Sequence, residues 1–154
     1  MSFIAGVTLT ANDSTAQFTP GLVVEMQNGK KYKYVQYETA AGSVAAVAGN
    51  VCYYYAPSGV SAGATTVVTS DLSDSANVGA GVLQAALTDG YYGWIQVTGT
   101  ATLTTALTAG ADGNALTAVG ATDGTLDVSA LVTDHICAVA VDASAKIVFC
   151  MFPE

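Results

Sequence analysis

The sequence predicts an all-β chain: a compact β-barrel, β-tulip-like or sandwich body of short, Gly-punctuated strands with an extended N-terminal arm. Three observations lead there. The first is turn chemistry. Asn28-Gly29, Asp89-Gly90, Asp112-Gly113 and Asp123-Gly124 each join a residue that tolerates positive φ to a glycine. Such pairs are the strongest short-range hairpin signal when β-type runs flank them. Pro57-Ser58-Gly59 adds a further turn. The second is the kind of apolar residue. Of 154 residues, 51% are apolar, and much of that share is Ala and Val, which suit thin, closely packed sheets more than a wide helical core. The third is that no window of about 11 residues carries a capped helical stripe. The nearest, VGAGVLQAAL (78–87), holds two Gly and runs into an Asp-Gly stop, which favours a strand.

Residues 1–20, MSFIAGVTLTANDSTAQFTP, are Thr/Ser-rich with isolated apolar positions. They read as an arm that orders against a partner, with a reach of tens of ångströms at about 3.3 Å per residue. Residues 21–154 read as a single β domain. At this length a chain buries roughly 70% of its unfolded surface, so the fold needs no metal or disulfide staple.

The first hairpin is LVVEMQ-NG-KKYKYVQY. A two-residue turn at Asn28-Gly29 sets Glu25 opposite Tyr32 and Val23 opposite Tyr34, with Lys30, Lys31 and Lys33 reaching water near the tip. In YYGWIQVTG, Tyr92, Trp94 and Gln96 share one face and Ile95 and Val97 the other, while Gly93 leaves room for a neighbouring backbone or ring. The last hairpin joins ICAVAV to KIVFCM through Asp142-Ala143-Ser144-Ala145. A symmetric turn there sets Cys137 opposite Cys150 and leaves both faces apolar. That pattern marks either a ribbon covered on both sides or one whose second face meets another subunit. A faint echo links SVAAVAGNVCYY to TALTAGADGNALT, each passing through a Gly-Asn step into a strand.

Charge narrows the function classes. Charged residues make up only 10% of the chain, and the net charge is −8 with four Lys and no Arg. So few charges imply either burial against other subunits or a surface coated with Thr, Ser and Gly. Nucleic-acid binding needs clustered cations, and Lys30, Lys31 and Lys33 are too few for a duplex footprint. No run approaches a membrane span, and no signal peptide is legible at the start. Three irregularly spaced cysteines, Cys52, Cys137 and Cys150, make no disulfide framework and read as free thiols made in a reducing cytoplasm.

Catalytic and metal chemistry find no foothold. The single histidine, His135, could share a face with Cys137, but it reads more simply as a strand-start residue at a sheet edge. Zinc would need about four close N or S ligands. Asp112, Asp123 and Asp127 lie in Gly-rich loops without a full calcium-loop pattern. No phosphate loop is present. No catalytic, cofactor-binding or metal residues are therefore assigned. Aromatic clusters are the remaining lead: Tyr53, Tyr54 and Tyr55, and Tyr92 with Trp94. Tyr and Trp bury a large area yet keep a polar tip, so these residues suit a core, a subunit interface or a sugar platform.

Three segments carry a resemblance: NGKKYKYVQYETAAGSVAAVAGNVCYY, VGAGVLQAALTDGYYGWIQVTGTATL and the closing ICAVAVDASAKIVFCMF. In this order they resemble elements of tailed-bacteriophage head decoration proteins, also called cement or capsid-stabilising proteins. The likeness covers residues 21–152 in outline, with GYYGWIQVTG its most specific part. It implies a non-enzymatic virion protein made in the host cytoplasm. Such a protein sits on the outer capsid surface as a homotrimer or other homo-oligomer, and its partner is the major capsid protein. It also implies that the arm touches the capsid, through Phe3, Ile4, Val7 and Leu9. Removing about the first 15 residues should then leave a folded body that binds capsids less well. The alternative is a phage head or tail appendage that binds glycans through exposed aromatics.

Overall fold

A computed structural model of the chain describes residues 6–57 and 66–154. Its strands are β1 (Val23–Glu25), β2 (Lys31–Tyr37), β3 (Val51–Tyr55), β4 (Val67–Thr69), β5 (Ser75–Leu83), β6 (Tyr92–Thr102), β7 (Ala115–Thr117), β8 (Asp127–Val128), β9 (Ile136–Asp142) and β10 (Ile147–Met151). Among the described residues the only helical piece is a 3-10 turn at Leu72–Asp74. The chain is all-β, as its turns and composition predict. The ambiguous VGAGVLQAAL run contributes strand through Leu83. Ser58 and Gly59 of the Pro57 turn lie outside the described residues.

Five strands close a barrel in the order β2-β4-β3-β5-β6, sealed by β6 against β2. Only β2 and β4 run parallel within it. β6 is the longest strand because it serves twice. Its first part pairs with β2 and β5, and Thr98–Thr102 pair with β10. β9, β7 and β8 follow β10 outward, and β1 lies on the free edge of β2.

Both expected hairpin registers are off by one residue. At the first, Val24 faces Tyr32 and Glu25 faces Lys31. The amide of Gly29 donates to Met26 O and that of Met26 to Lys30 O, so the loop is Gln27-Asn28-Gly29. Gly29 sits at φ +79°. A type I turn closed by a left-handed glycine makes a three-residue loop and shifts every pair by one relative to a two-residue turn. At the last hairpin, Cys150 faces Ala138 rather than Cys137, and Val141 is an extra residue between the pairs Ile147–Asp142 and Val148–Ala140. The Gly-Asn echo has a structural counterpart: Asn50 leads directly into β3 and Asn114 into β7.

Alternation along β2 builds two cores. Val35 and Tyr37 point into the barrel and join the main cluster with Ile95, Val97, Tyr53, Leu116, Val148 and Cys150. Tyr32 and Tyr34 point outward and join Val24 and Trp94 in a second cluster. Ile95 and Val97 thus part from Trp94 across β6, as expected. The second cluster is roofed by the chain's own N-terminal segment, where Val7, Leu9, Phe18 and Leu22 pack on it. Phe18 meets Tyr34 edge-on at 5.3 Å between centroids and Trp94 at 5.4 Å. Asp13 and Tyr92 exchange two backbone hydrogen bonds of 2.9 Å. Gly93 admits this segment: a Cβ there would lie 3.0 Å from Ala11 O and collide with Leu87.

Candidate functional site

Among the described residues, Ile136, Val141, Phe149 and Met151 gather exposed apolar side chains on the β9–β10 ribbon. Along β10, Val148 and Cys150 are buried while Phe149 and Met151 are each 43% exposed. On β9, Ala138 and Ala140 are buried, Val139 is half-buried and Val141 is 51% exposed. Cys137 opposite Cys150 would have put Val139 and Val141 on the Cys150 face; instead they turn outward with Phe149 and Met151, and the alanines turn inward with Cys150. A one-residue slip exchanges the faces of one strand relative to the other. Among the described residues only the inner face is covered, so the single chain does not cover this ribbon on both sides.

The loop before β9 shows a second apolar feature. The Asp134 carboxylate accepts from the Ala130 amide (2.9 Å), the Leu131 amide (2.9 Å) and the Ser129 hydroxyl (3.2 Å). These bonds, the Leu131 amide foremost, hold the Asp134 carboxyl below the usual carboxylate range. A loop so tied presents Leu131 and Val132 to solvent, 64% and 105% exposed. Sequence reading missed this tip. Its signal was an aliphatic pair enclosed by Ser129 and Asp134, with no strand partner to absorb it.

The aromatic candidates separate. Tyr53 and Trp94 are completely buried within one chain and Tyr54 nearly so, which removes them as subunit-interface candidates and leaves the core, the first of their expected roles. A sugar platform at these three is closed off for the same reason. Tyr53 Oη accepts from the Thr125 amide and donates to carbonyls of the β7–β8 connection, which pins that connection to the barrel. Burial raises its hydroxyl pKa. Tyr55 and Tyr92 are half-buried. Val7 and Leu9, expected to reach a capsid, lie against the chain's own second core, while Phe3 and Ile4 lie outside the described residues.

The titratable groups are dispersed. Lys33 does not reach water as expected, because its position on β2 points into the barrel. Its Nζ donates to Tyr54 Oη at 3.1 Å and lies 5.1 Å from that ring's centroid. Burial lowers its pKa. His135 is exposed whereas Cys137 is fully buried, so they form no pair. Burial pushes the Cys137 and Cys150 thiols up to about 12 and also raises Cys52. Asp112, Asp123 and Asp127 accept from the backbone amides of Ala143, Leu72 and Val128, respectively, which is loop anchoring. Among the described residues no three His, Cys, Asp or Glu converge on a metal-sized site, and no helix is long and apolar enough to cross a membrane.

No protein-family model, curated protein or solved structure matches this chain.

Proposed function

We propose that this chain is a non-enzymatic virion structural protein that binds the outer surface of an expanded phage capsid and stabilises it. The observation that carries the reading is the Asp134-tied loop, whose hydrogen bonds to its own backbone leave two aliphatic side chains in water. Exposed apolar groups on a pre-ordered loop gain by insertion into a partner's groove without an ordering cost. The capsid contact is accordingly assigned to Leu131 and Val132, with Phe3 and Ile4 of the arm as a further contact. Major capsid protein is the partner, and the decoration protein acts as a homo-oligomer on the shell.

The mechanism is thermodynamic. A protein that binds the expanded shell more tightly than the precursor shell stabilises the expanded state by the difference in binding free energy. Many copies spanning neighbouring capsomers add avidity. Co-sedimentation with undecorated capsids, expanded and unexpanded, tests this. Saturable binding that favours expanded shells is expected, and Val132→Asp should weaken it about tenfold or more while the circular dichroism stays unchanged. Equal binding to both shells, or none to either, removes the reading.

A further inference from the structure

We propose that the outer face of the β9–β10 ribbon is a self-association surface. On it a second copy of this chain docks about a two-fold axis, with β10 of one copy lying over β9 of the other. The pairing needs no capsid. It rests on three features of the face.

The first is its composition against its own sheet. Thr100, Phe149, Val139 and Ala115 stand directly opposite one another across β6, β10, β9 and β7. On β6 the outward positions Thr98, Thr100 and Thr102 carry hydroxyls, the usual choice for a sheet face in water. One strand further, the same face switches to Phe149 and Met151, and then to Val139 and Val141. A solvated face would have continued the threonines.

The second is charge. The chain carries a net charge of −8, so two copies repel wherever carboxylates would have to meet. None of the outward residues just named is charged. Ionisable groups flank only the ends of the ribbon. At the turn Asp142 accepts from Ser144 Oγ and the Ala145 amide, and Lys146 donates to Thr104 O; Asp134 and His135 lie before β9, and the Lys31–Glu154 ion pair lies beyond the Met151 end. A neutral centre with a charged rim is the anatomy of an interface core. It offers nothing to attract a partner of opposite charge and fits an equally neutral, flat face. Among the described residues, the ribbon itself is such a face.

The third is shape and size. Phe149 and Met151 are bulky and sit on one strand, whereas the neighbouring Val139 and Val141 are smaller and β-branched. A two-fold axis parallel to the strands and midway between them seats large side chains on small ones in both directions, as in a packed sandwich. The two ribbon strands, about 4.8 Å apart and five residues deep, give roughly 160 Å² in plane. That is well below the ~800 Å² per partner of a standard stable interface, so the dimer is weak and concentration-dependent. An isologous contact closes at two copies, which gives a dimer and not, by itself, a trimer.

Sedimentation velocity on the full chain without capsids, from micromolar to millimolar, tests the pairing. Wild type should pass from monomer to dimer, and Phe149→Glu should weaken the dimer about 30-fold or more. Phe149→Thr, which copies the outward residues of β6, should do the same with less risk to folding. Mixing Phe149→Cys and Val139→Cys chains with a bis-maleimide cross-linker that spans the ~10 Å between stacked sheets should yield a covalent hetero-pair by thioether formation, since the native thiols are buried. A wild type that stays monomeric throughout overturns the inference, as does an oligomer whose mass survives both Phe149 substitutions. Capsid binding by a monomeric Phe149→Glu chain would leave the decoration reading standing, so the two ideas can fail separately.

Discussion

Two outward-facing apolar patches lie on the same sheet and meet different fates. On β2 and β6, Tyr32, Tyr34 and Trp94 project from the barrel and are sealed by the segment that precedes β1. On β9 and β10, Val139, Val141, Phe149 and Met151 project in the same manner, and no segment of the described chain lies over them. The first patch is rich in large aromatics and is tied by directional bonds: Tyr34 Oη donates to Asp13 Oδ2 at 2.7 Å, and the Gln17 amide donates to Tyr34 Oη at 3.2 Å. The second has no polar group to anchor a strap. An apolar face that the chain covers itself becomes core. One that it leaves open is available to another molecule.

The largest way to break this contrast is Trp94→Ala, which should cost about 3–5 kcal/mol of unfolding free energy in denaturant titrations. Trp94→Phe should cost distinctly less, because the indole Nε1 is buried without a hydrogen-bond partner among the described residues and its loss removes a desolvation penalty. Equal losses for the two would show that the indole N–H carries no such penalty and that only the full indole volume fills the site. Next in size is removal of residues 1–15. It strips Val7 and Leu9 from the second cluster and Asp13 from Tyr34. Instead of leaving an undisturbed body, as a detachable arm would, it should lower stability by roughly 2–3 kcal/mol. An unchanged melting curve would show that the roof contributes nothing.

The smallest is Tyr34→Phe, at about 1 kcal/mol. Its clearer signature is in pH. Burial, with the Asp13 hydrogen bond, raises the Tyr34 hydroxyl from 10.0 to about 12. A phenol raised in the fold contributes stability that is complete below the unfolded value and is lost as pH rises through the folded one. Stability should therefore fall between pH 10 and about 12, and Tyr34→Phe should flatten part of that fall. An identical alkaline limb in the variant would remove Tyr34 as its source.

Much of the architecture was legible because local rules and tertiary structure agree. The Asp-Gly and Asn-Gly steps do turn the chain, and period-two alternation sorts Ile95 and Val97 from Trp94 correctly. Register was not legible. Whether Asn28-Gly29 spans two loop residues or three is decided by a fraction of a turn, and either choice satisfies the dipeptide. The same uncertainty at the last hairpin hid which valines face outward. The aromatic clusters misled for a different reason. A tyrosine suits a core and an interface equally until the fold shows where its hydroxyl goes, and that of Tyr53 goes to the Thr125 backbone 72 residues away. The Leu131-Val132 tip needed the carboxylate of Asp134 to be seen folding back on its own loop.

β6 belongs to the barrel at one end and to the outer sheet at the other, and five consecutive residue pairs from Thr98–Met151 to Thr102–Ile147 join it to β10. Anything that pulls on the ribbon therefore loads the barrel through that seam. Tension along the strand direction strains all five pairs together, as in a lap joint under shear. Tension across it opens them one at a time, as in peeling. The direction from which a partner tugs on β9–β10 thus sets how much force the molecule withstands before its outer sheet parts from the barrel.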